Sequence, residues 1–264
     1  MPDWLAVVLL GLVEGVTEFL PVSSTGHLLL IENNHWLPRQ SDVFNIVIQS
    51  GAALALIPVF SRRLRALLTG WREPDSRDYL LKLLAAFAVT GAGGLLAKRL
   101  GFTLPAEVAP VAAATLVGGI VILGLERWLA GRRVDEGVSW AVALAVGLAQ
   151  LLAAMLPGTS RAGATILMAL ALGVSRPRAT EFSFLLGIPT LLSAGLLELR
   201  SALGEAGGGA TDWDLLALGW LVSFLAALVV VRWLLRFVQA HTFVVFGWYR
   251  IALGLVMLAV GGRG

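Results

Sequence analysis

The sequence contains no cysteine and very little charge. Without cysteine, neither a disulfide scaffold nor a thiolate metal site is possible in its 264 residues. Charged residues make up 14% of the chain, whereas about 25% is usual in soluble domains. Hydrophobic residues make up 58%, and the mean hydropathy is +0.83. These values predict a polytopic integral membrane protein and argue against a soluble enzyme.

The placement of charge and the first residues disfavour two further interpretations. The net charge of +3 is small and the basic residues are scattered over short loops, which argues against a nucleic-acid-binding surface. The opening "MPDWLAVVLL" has neither a basic n-region nor a small-residue cleavage pattern, so no cleaved signal peptide is expected.

Long apolar stretches predict the membrane spans, since a spanning helix needs roughly 20 apolar residues. Two stretches, 4–31 and 138–172, are each interrupted by polar residues around a proline. The clean stretches are 43–60, 79–97, 108–130, 182–200, 213–232 and 243–261. The sequence therefore predicts an all-α membrane protein with six spans and two interrupted segments.

The first interrupted stretch is too short to cross the membrane twice. Its 28 residues make only about 42 Å of helix at 1.5 Å per residue, and a bilayer core is roughly 30 Å thick. A single straight crossing would place Glu14, Glu18 and His27 in lipid. A re-entrant hairpin with its turn at "PVSST" avoids both problems. Irregular backbone is tolerated at membrane depth where protein or water surrounds it.

The basic residues predict which side of the membrane each loop faces. If the six clean spans cross and the interrupted segments return, 13 Lys and Arg residues fall on one side and 5 on the other. Cytoplasmic loops are the richer in Lys and Arg, so both termini are expected outside. The richer side holds Arg62, Arg63, Arg65, Arg72, Arg77, Lys82, Arg127, Arg132, Arg133, Arg176, Arg178, Arg232 and Arg236. The other side holds Arg39, Lys98, Arg99, Arg200 and Arg263.

An internal repeat relates the two interrupted stretches. Shifted by 136 residues, "GLVEGVTEFLPVSSTGHLLL" (11–30) lies over "GLAQLLAAMLPGTSRAGATI" (147–166). The coinciding pairs are Gly11 with Gly147, Leu12 with Leu148, Leu20 with Leu156, Pro21 with Pro157 and Ser24 with Ser160.

Each copy is followed by three clean spans, and the two copies enter the membrane from opposite sides. The sequence thus predicts a single membrane domain, 1–264, built from two repeats of inverted topology, 1–133 and 134–264. Each repeat would be a re-entrant helix pair plus three transmembrane helices. Paired interrupted helices in such repeats indicate a binding site between them near the bilayer midplane.

The first interrupted stretch carries acid, base and nucleophile candidates. Glu14 and Glu18 lie four residues apart and therefore on one helix face. Ser23 or Ser24 is placed to cap the half-helix that follows, and His27 comes three residues after Ser24. A serine with a histidine base is a common device for group transfer. Two carboxylates suit a divalent cation that neutralises phosphate charge.

The second interrupted stretch offers phosphate-binding groups. Gly158 and Ser160 precede a helix N-terminus, whose free N–H groups and dipole bind anions. Arg161 adds a planar fork suited to phosphate oxygens. Thr165 is either a further ligand or a hydroxyl bonded to its own helix. Arg250, within the last span, is interpreted as part of a structural ion pair or as a snorkelling side chain.

Both interrupted stretches resemble the signatures of a known family. "EGVTEFLPVSSTGH" (14–27) and "PGTSRAGAT" (157–165) closely resemble the two motifs of the bacterial undecaprenyl pyrophosphate phosphatases, the bacitracin-resistance family. The likeness extends along nearly the whole chain and includes "VIQSG" (47–51), "GVSRPRATEFSFLLGIP" (173–189) and "YRIALG" (249–254).

The resemblance implies an activity and a setting. It implies a membrane phosphatase that converts a polyprenyl pyrophosphate to the monophosphate carrier lipid for cell-wall synthesis, and so confers bacitracin resistance. It also implies a homodimer in the bacterial inner membrane, an inverted-repeat fold with six spans, an outward-facing site and a supporting Mg²⁺ or Ca²⁺. The functional residues it implies are Glu14, Glu18, Ser24, His27, Ser160, Arg161 and Thr165.

Three positions depart from the family pattern. Thr159 stands where an aromatic residue is common, Ala162 where a serine is common, and Asn45 where an acidic residue is frequent. The missing hydroxyl argues against a role for Ala162. It leaves Ser160 and Arg161 untouched.

Two mechanisms and one other class of function are left open. In the first mechanism Ser24 attacks phosphorus with His27 as its base, while Glu18 orients His27 or binds the cation with Glu14. In the second, His27 attacks and Ser24 only binds phosphate. A polyprenyl-phosphate transporter is the alternative function, because inverted repeats with interrupted helices are also transporter architecture. The residues predicted to bind the substrate phosphate are Arg161, Ser160, Thr165, Ser23 and Gly158.

Overall fold

The computed structural model describes residues 1–102, 107–132, 134–204 and 212–261. Within these ranges the chain forms twelve helices, and the only extended pairing is an isolated bridge between Asp135 and Val174. The predicted all-α fold is confirmed. Arg133 and Arg263, which entered the prediction of sidedness, lie outside the described residues.

The helices follow one another with short connections. They are α1 (Asp3–Thr17), α2 (Ser24–Asn33), α3 (Asp42–Leu54), α4 (Leu56–Val59), α5 (Ser61–Thr69), α6 (Pro74–Arg99), α7 (Val108–Leu129), α8 (Trp140–Met155), α9 (Arg161–Ala171), α10 (Arg176–Gly204), α11 (Trp213–Ala240) and α12 (Val244–Gly261).

Five helical segments in the described part of the chain are long and apolar enough to cross a membrane. They are Asp42–Val59, Pro74–Arg99, Val108–Leu129, Arg176–Gly204 and Trp213–Ala240. Each coincides with a predicted span, so the chain is a multi-pass membrane protein. The sixth predicted span coincides with α12, whose described apolar run Val244–Val260 is shorter than these five. That α12 crosses the membrane stays a prediction.

The two interrupted stretches are broken helices, as their proline-centred polar clusters predict. α1 has 15 residues and α2 has 10, and residues 18–23 between them form the first turn. α8 has 16 residues and α9 has 11, and residues 156–160 between them form the second turn. At 1.5 Å per residue each of these helices is about 15–24 Å long, shorter than the roughly 30 Å bilayer core.

Close helix packing depends on small residues. α1 packs against α11, where a Cβ at Gly11 would lie 2.5 Å from the carbonyl oxygen of Gly219. α7 packs along α12, where a Cβ at Gly119 would lie 2.7 Å from the carbonyl oxygen of Gly247. In lipid, where helices gain little from apolar burial against each other, such close backbone approach supplies the contact energy.

The first turn is anchored in the largest hydrophobic cluster. Phe19 and Val22 are buried there together with Phe184 of α10 and Ala162 of α9. The rings of Phe19 and Phe184 meet edge to face with their centroids 5.1 Å apart. Because this cluster includes residues on both sides of the second turn, it holds the two turns in the same region of the molecule.

Candidate active site

The two turns end in the same unusual backbone geometry. Ser23 has φ 72° and Ser160 has φ 67°, in the left-handed region that non-glycine residues rarely adopt. Each serine caps the next helix, because its Oγ accepts the N–H of Gly26 at 3.2 Å or of Gly163 at 3.1 Å. Backbone strain of this kind costs about 1–3 kcal/mol and clusters at functional sites.

These caps also refine the internal repeat. Ser23 corresponds in position to Ser160, an offset of 137 residues, whereas the prolines are 136 residues apart. Ser24, which the sequence shift pairs with Ser160, is instead the first residue of α2, as Arg161 is the first residue of α9. The cap of α2 is therefore Ser23, which resolves the choice between Ser23 and Ser24.

A chain of polar contacts joins the two turns. The hydroxyl of Ser24 donates to Glu18 Oε2 at 2.7 Å. Glu18 Oε1 accepts from Arg161, from Nη2 at 3.2 Å and from Nε at 3.4 Å. All three side chains are largely buried, so the pair of charges lies in a medium of low dielectric constant. Removing one partner of such a pair typically costs about 3–5 kcal/mol, because the other charge is left unpaired.

Two groups beside this chain have unused hydrogen-bonding capacity. Both carboxylate oxygens of Glu14, which is fully buried, have no hydrogen-bond partner among the described residues. Arg161 Nη1 is buried and likewise has no partner among them. A buried polar group without a partner is costly, and in native proteins it often marks a place where a ligand or ion binds.

The guanidinium of Arg161 fits a space made by neighbouring residues. Its Cζ lies 5.5 Å from the centre of the Phe19 ring. A Cβ at Gly187 of α10 would overlap Nη1 and lie 3.1 Å from the same Cζ atom, so a larger residue there would displace the guanidinium. Gly187 was not singled out from the sequence, where nothing distinguishes it from the other 29 glycines of the chain.

His27 lies at the same end of α2 but makes no hydrogen bond to the Ser24 hydroxyl. Its Nδ1 is 2.7 Å from the carbonyl oxygen of Ser23, which can only accept, so Nδ1 carries the proton. Its Nε2 is 2.6 Å from the hydroxyl of Tyr249 and accepts from it, and the two rings stack at 5.6 Å. Both ring nitrogens are therefore engaged, and neither of them holds the Ser24 hydroxyl.

The remaining predicted phosphate ligands contact backbone. Ser160 Oγ donates to the carbonyl oxygen of Leu20 at 3.5 Å, a long bond that links the two turns. Thr165 Oγ1 donates to the carbonyl oxygen of Arg161 at 2.9 Å, within its own helix. Gly158 has φ +94°, a conformation that only glycine adopts readily. Their roles as phosphate ligands stay predictions.

Arg250 forms neither of the structures expected from the sequence. It is fully buried, so it does not snorkel, and no carboxylate among the described residues pairs with it. Its guanidinium instead donates to backbone carbonyls, including those of Pro21 and Gly158 in the two turns. In the sequence, Arg250 and its neighbour Tyr249 are marked as a polar pair within an otherwise apolar segment and as the start of the family-like stretch "YRIALG", but neither signal indicates their partners.

Glu14 and Glu18 were expected to bind a divalent cation. The described residues contain no group of three or more His, Cys, Asp or Glu side chains placed to hold a metal. The carboxylate of Glu18 is already engaged, whereas neither oxygen of Glu14 has a hydrogen-bond partner in the part of the chain that the structure describes. Mg²⁺ commonly takes one or two carboxylates and completes its shell with water and phosphate oxygens. Glu14 therefore fits a cation that is shared with a phosphate.

A family profile and two similar proteins indicate the same family. The profile of the family described as Bacitracin resistance protein BacA matches residues 7–256. An undecaprenyl-diphosphatase of Rhizobium etli (strain CIAT 652) is 46% identical over 264 residues, covering 99% of this chain and 98% of that protein. An undecaprenyl-diphosphatase of Xanthomonas oryzae pv. oryzae (strain PXO99A) is 46% identical over 260 residues, covering 98% of this chain and 97% of that protein.

Proposed function

Because the chain belongs to the bacitracin resistance protein BacA family, we propose that it is an undecaprenyl-diphosphatase. It removes the terminal phosphate of undecaprenyl pyrophosphate and leaves the monophosphate, the lipid that carries cell-wall precursors. By lowering the amount of the pyrophosphate it confers resistance to bacitracin. The observation that carries this proposal is the buried chain from Ser24 through Glu18 to Arg161, which joins the two turns.

The terminal phosphate binds between the two helix N-termini. Arg161 supports this role, because its Nη1 is a buried donor without a protein partner among the described residues. α2 and α9 begin at the two turns, and free N–H groups at a helix start favour anions. Ser23 and Ser160 shape these starts as caps, and Gly158 allows the second turn to close. Thr165 braces the first turn of α9 through its bond to the carbonyl of Arg161.

Ser24 is the nucleophile and Glu18 is its base. The Ser24 oxygen forms a bond to the terminal phosphorus while the bond from phosphorus to the bridging oxygen breaks, and the monophosphate lipid leaves. The Ser24 proton passes to Glu18 Oε2, which already accepts it in a hydrogen bond of 2.7 Å. The oxygen of a water molecule then forms a bond to phosphorus while the bond from phosphorus to the Ser24 oxygen breaks. Glu18 returns its proton to the Ser24 oxygen, and inorganic phosphate leaves with both protons of the water.

His27 does not act as the base for Ser24, because both of its ring nitrogens are engaged elsewhere. Its Nε2 accepts from Tyr249, and its Nδ1 donates to the carbonyl of Ser23. In this arrangement His27 fixes the backbone at the cap of α2 and therefore the position of Ser24. The competing mechanism, in which His27 attacks phosphorus, requires its Nε2 to leave Tyr249.

The residues present fit a divalent cation, Mg²⁺ or Ca²⁺. Glu14 would hold it, because both of its oxygens lack a hydrogen-bond partner among the described residues, and Glu18 would offer the second carboxylate. When bound, such a cation neutralises charge on the pyrophosphate oxygens.

The membrane arrangement follows the same proposal. Residues 1–133 and 134–264 are repeats of inverted topology, and their interrupted helices are re-entrant pairs. The shared cap geometry at Ser23 and Ser160 supports the repeat, and the short helices on either side of each turn support the re-entrant arrangement. We place the protein in the bacterial inner membrane as a homodimer, with the site facing outward and both termini outside.

Phosphate release by the purified protein tests the activity. Wild type is expected to release phosphate from undecaprenyl pyrophosphate in detergent with Mg²⁺ or Ca²⁺. Ser24→Ala and Glu18→Gln are each expected to lower kcat at least about 100-fold, because they remove the nucleophile and its base. Ser201→Ala, an exposed serine of α10, is the matched control and should keep wild-type kcat.

Two outcomes would contradict the proposal. A Ser24→Ala variant with near-normal kcat would exclude the serine mechanism. Release by neither wild type nor control with either cation, together with lipid flipping in proteoliposomes, would identify a polyprenyl-phosphate transporter instead.

A further inference from the structure

Arg250 uses every donor of its side chain on the backbone. A guanidinium has five N–H groups. All five are engaged here, and Arg250 is fully buried. The acceptors are the carbonyl oxygens of Thr115 at 3.0 Å from Nε, of Pro21 at 3.3 Å and Thr159 at 2.9 Å from Nη1, and of Ala114 at 3.1 Å and Gly158 at 2.9 Å from Nη2.

These acceptors belong to three separate parts of the chain. Pro21 is in the first turn, and Gly158 and Thr159 are in the second turn. Ala114 and Thr115 belong to α7, and Arg250 itself to α12. One planar group thus fixes both turns to each other and to the packed pair of α7 and α12. The hydroxyl of Thr115 adds a weaker contact from α7 to the carbonyl oxygen of Gly158, at 3.3 Å.

The bonds to Arg250 also set the direction of an amide at the site. In a trans peptide the carbonyl of one residue and the N–H of the next point in opposite directions. Since the carbonyl of Thr159 points at Arg250, the N–H of Ser160 points away from it. Among the described residues no acceptor takes that N–H. It is therefore available to an anion at the start of α9.

We propose that Arg250 is a positioning residue of the phosphatase reaction, which fixes the separation and orientation of the two turns without touching the substrate. This inference rests on the proposed function. Ser24 directly follows the first turn and Arg161 directly follows the second, so the distance between nucleophile and phosphate ligand depends on how the turns are joined.

Glycine makes the space that Arg250 occupies. A Cβ added at Gly118 of α7 would overlap the Nη2, Cζ and Nε atoms of the guanidinium. A Cβ added at Gly163 of α9 would lie 3.3 Å from Nη1. Lysine cannot replace arginine here, because a single ammonium group lacks the planar fork that reaches carbonyls on both turns.

The first experiment separates geometry from charge. Arg250→Lys keeps the positive charge but loses the fork, and we expect kcat to fall about 100-fold while KM changes less than about threefold. Arg236→Lys, the same change at an exposed position of α11, should keep wild-type kcat. Wild-type kcat in Arg250→Lys would overturn the proposal.

The second experiment displaces the guanidinium without changing it. Gly118→Ala is expected to lower kcat about tenfold, because its Cβ pushes the guanidinium away from the carbonyls. Gly124→Ala, on the same helix, has open space around its Cβ and should keep wild-type kcat. This pair decides the question if Arg250→Lys fails to fold. Equal kcat in the two glycine variants would contradict the proposal.

A third experiment measures the distance between the two turns directly. Because the chain has no cysteine, Thr25→Cys and Leu156→Cys allow a spin label beside each turn without background. We expect Arg250→Lys and Gly118→Ala to broaden the distance distribution between the labels. An unchanged distribution would show that Arg250 does not position the turns. This readout needs no turnover, so a failure of the proposed phosphatase activity is recognised separately, by absent phosphate release in wild type.

Discussion

At the scale of single residues, the hydrogen bond from Ser24 to Glu18 favours the Ser24 oxygen, rather than a His27 nitrogen, as the atom that carries the phosphoryl group. Ser24 as nucleophile predicts a phosphoserine intermediate, which is stable in acid, whereas attack by His27 predicts a phosphohistidine, which acid hydrolyses. Labelled phosphate trapped by acid quenching should therefore stay on the protein and disappear in Ser24→Ala. Label that is lost in acid but survives alkali would favour His27 as nucleophile.

The contact between Tyr249 and His27 gives a second residue-scale prediction. Tyr249→Phe removes the hydroxyl that donates to Nε2 at 2.6 Å, so we expect the imidazole to lose its fixed orientation and kcat/KM to fall about tenfold. Tyr79→Phe, the other tyrosine of the chain, is the control and should leave kcat/KM unchanged. In a His27→Ala background, Tyr249→Phe should have no further effect, and an additive loss would contradict the coupling.

Residue types and their local spacing predicted part of this site. Glu14, Glu18 and Ser24 lie in one short segment, and their rarity in apolar sequence marks them. Their partners were not predictable, since Tyr249 is 222 residues from His27 along the chain. From the sequence, Glu18 was expected either to orient His27 or to bind a cation with Glu14. Its contact with Arg161, 143 residues away along the chain, becomes visible only once the helices are packed.

At the scale of elements, the second turn depends on a glycine that has no substitute. Gly158 has φ +94°, and an added Cβ would also overlap the carbonyl of Val111 on α7. We expect Gly158→Ala to lower the free energy of unfolding by about 1–3 kcal/mol and kcat at least about tenfold. Gly131→Ala has a similar φ of +76° with open space around it, so it should lose stability but keep kcat. Equal kcat losses would contradict the role of the Val111 contact.

The broken helices were predictable because proline and glycine interrupt the apolar stretches. The helices that follow the turns begin directly after the cap residues Ser23 and Ser160. The register of the repeat was not, because the second turn holds one more residue between its proline and its cap serine than the first. A slide at constant offset cannot detect an insertion inside a turn. Geometry detects it, since Ser23 and Ser160 share a backbone conformation that few serines adopt.

At the scale of the whole molecule, the sidedness predicted from Lys and Arg is testable in cells. The absence of native cysteine allows Arg39→Cys and Arg72→Cys, both at exposed positions, to be labelled one at a time. A membrane-impermeant maleimide should label Arg39→Cys in intact cells and Arg72→Cys only after the membrane is opened. The reverse pattern would invert the proposed topology.

Hydropathy predicted five spans that the structure also contains, because length and apolarity are sufficient for a simple crossing. Hydropathy did not predict how the helices of the two repeats pack against each other. The pairing of α1 with α11 and of α7 with α12 depends on glycines placed at contact points, and such points are visible only once the helices are packed.

The position of Arg250 near the end of the order of synthesis has a consequence for biogenesis. Both turns are translated well before α12, and until α12 is made Arg250 cannot donate to the carbonyls of Pro21, Gly158 and Thr159. A nascent or truncated chain that stops before α12 would thus carry Ser24, Glu18 and Arg161 yet lack hydrolytic competence. From Arg250 as a positioning residue it follows that α12 completes the site, and we expect copies without this helix to leave the lipid carrier unchanged.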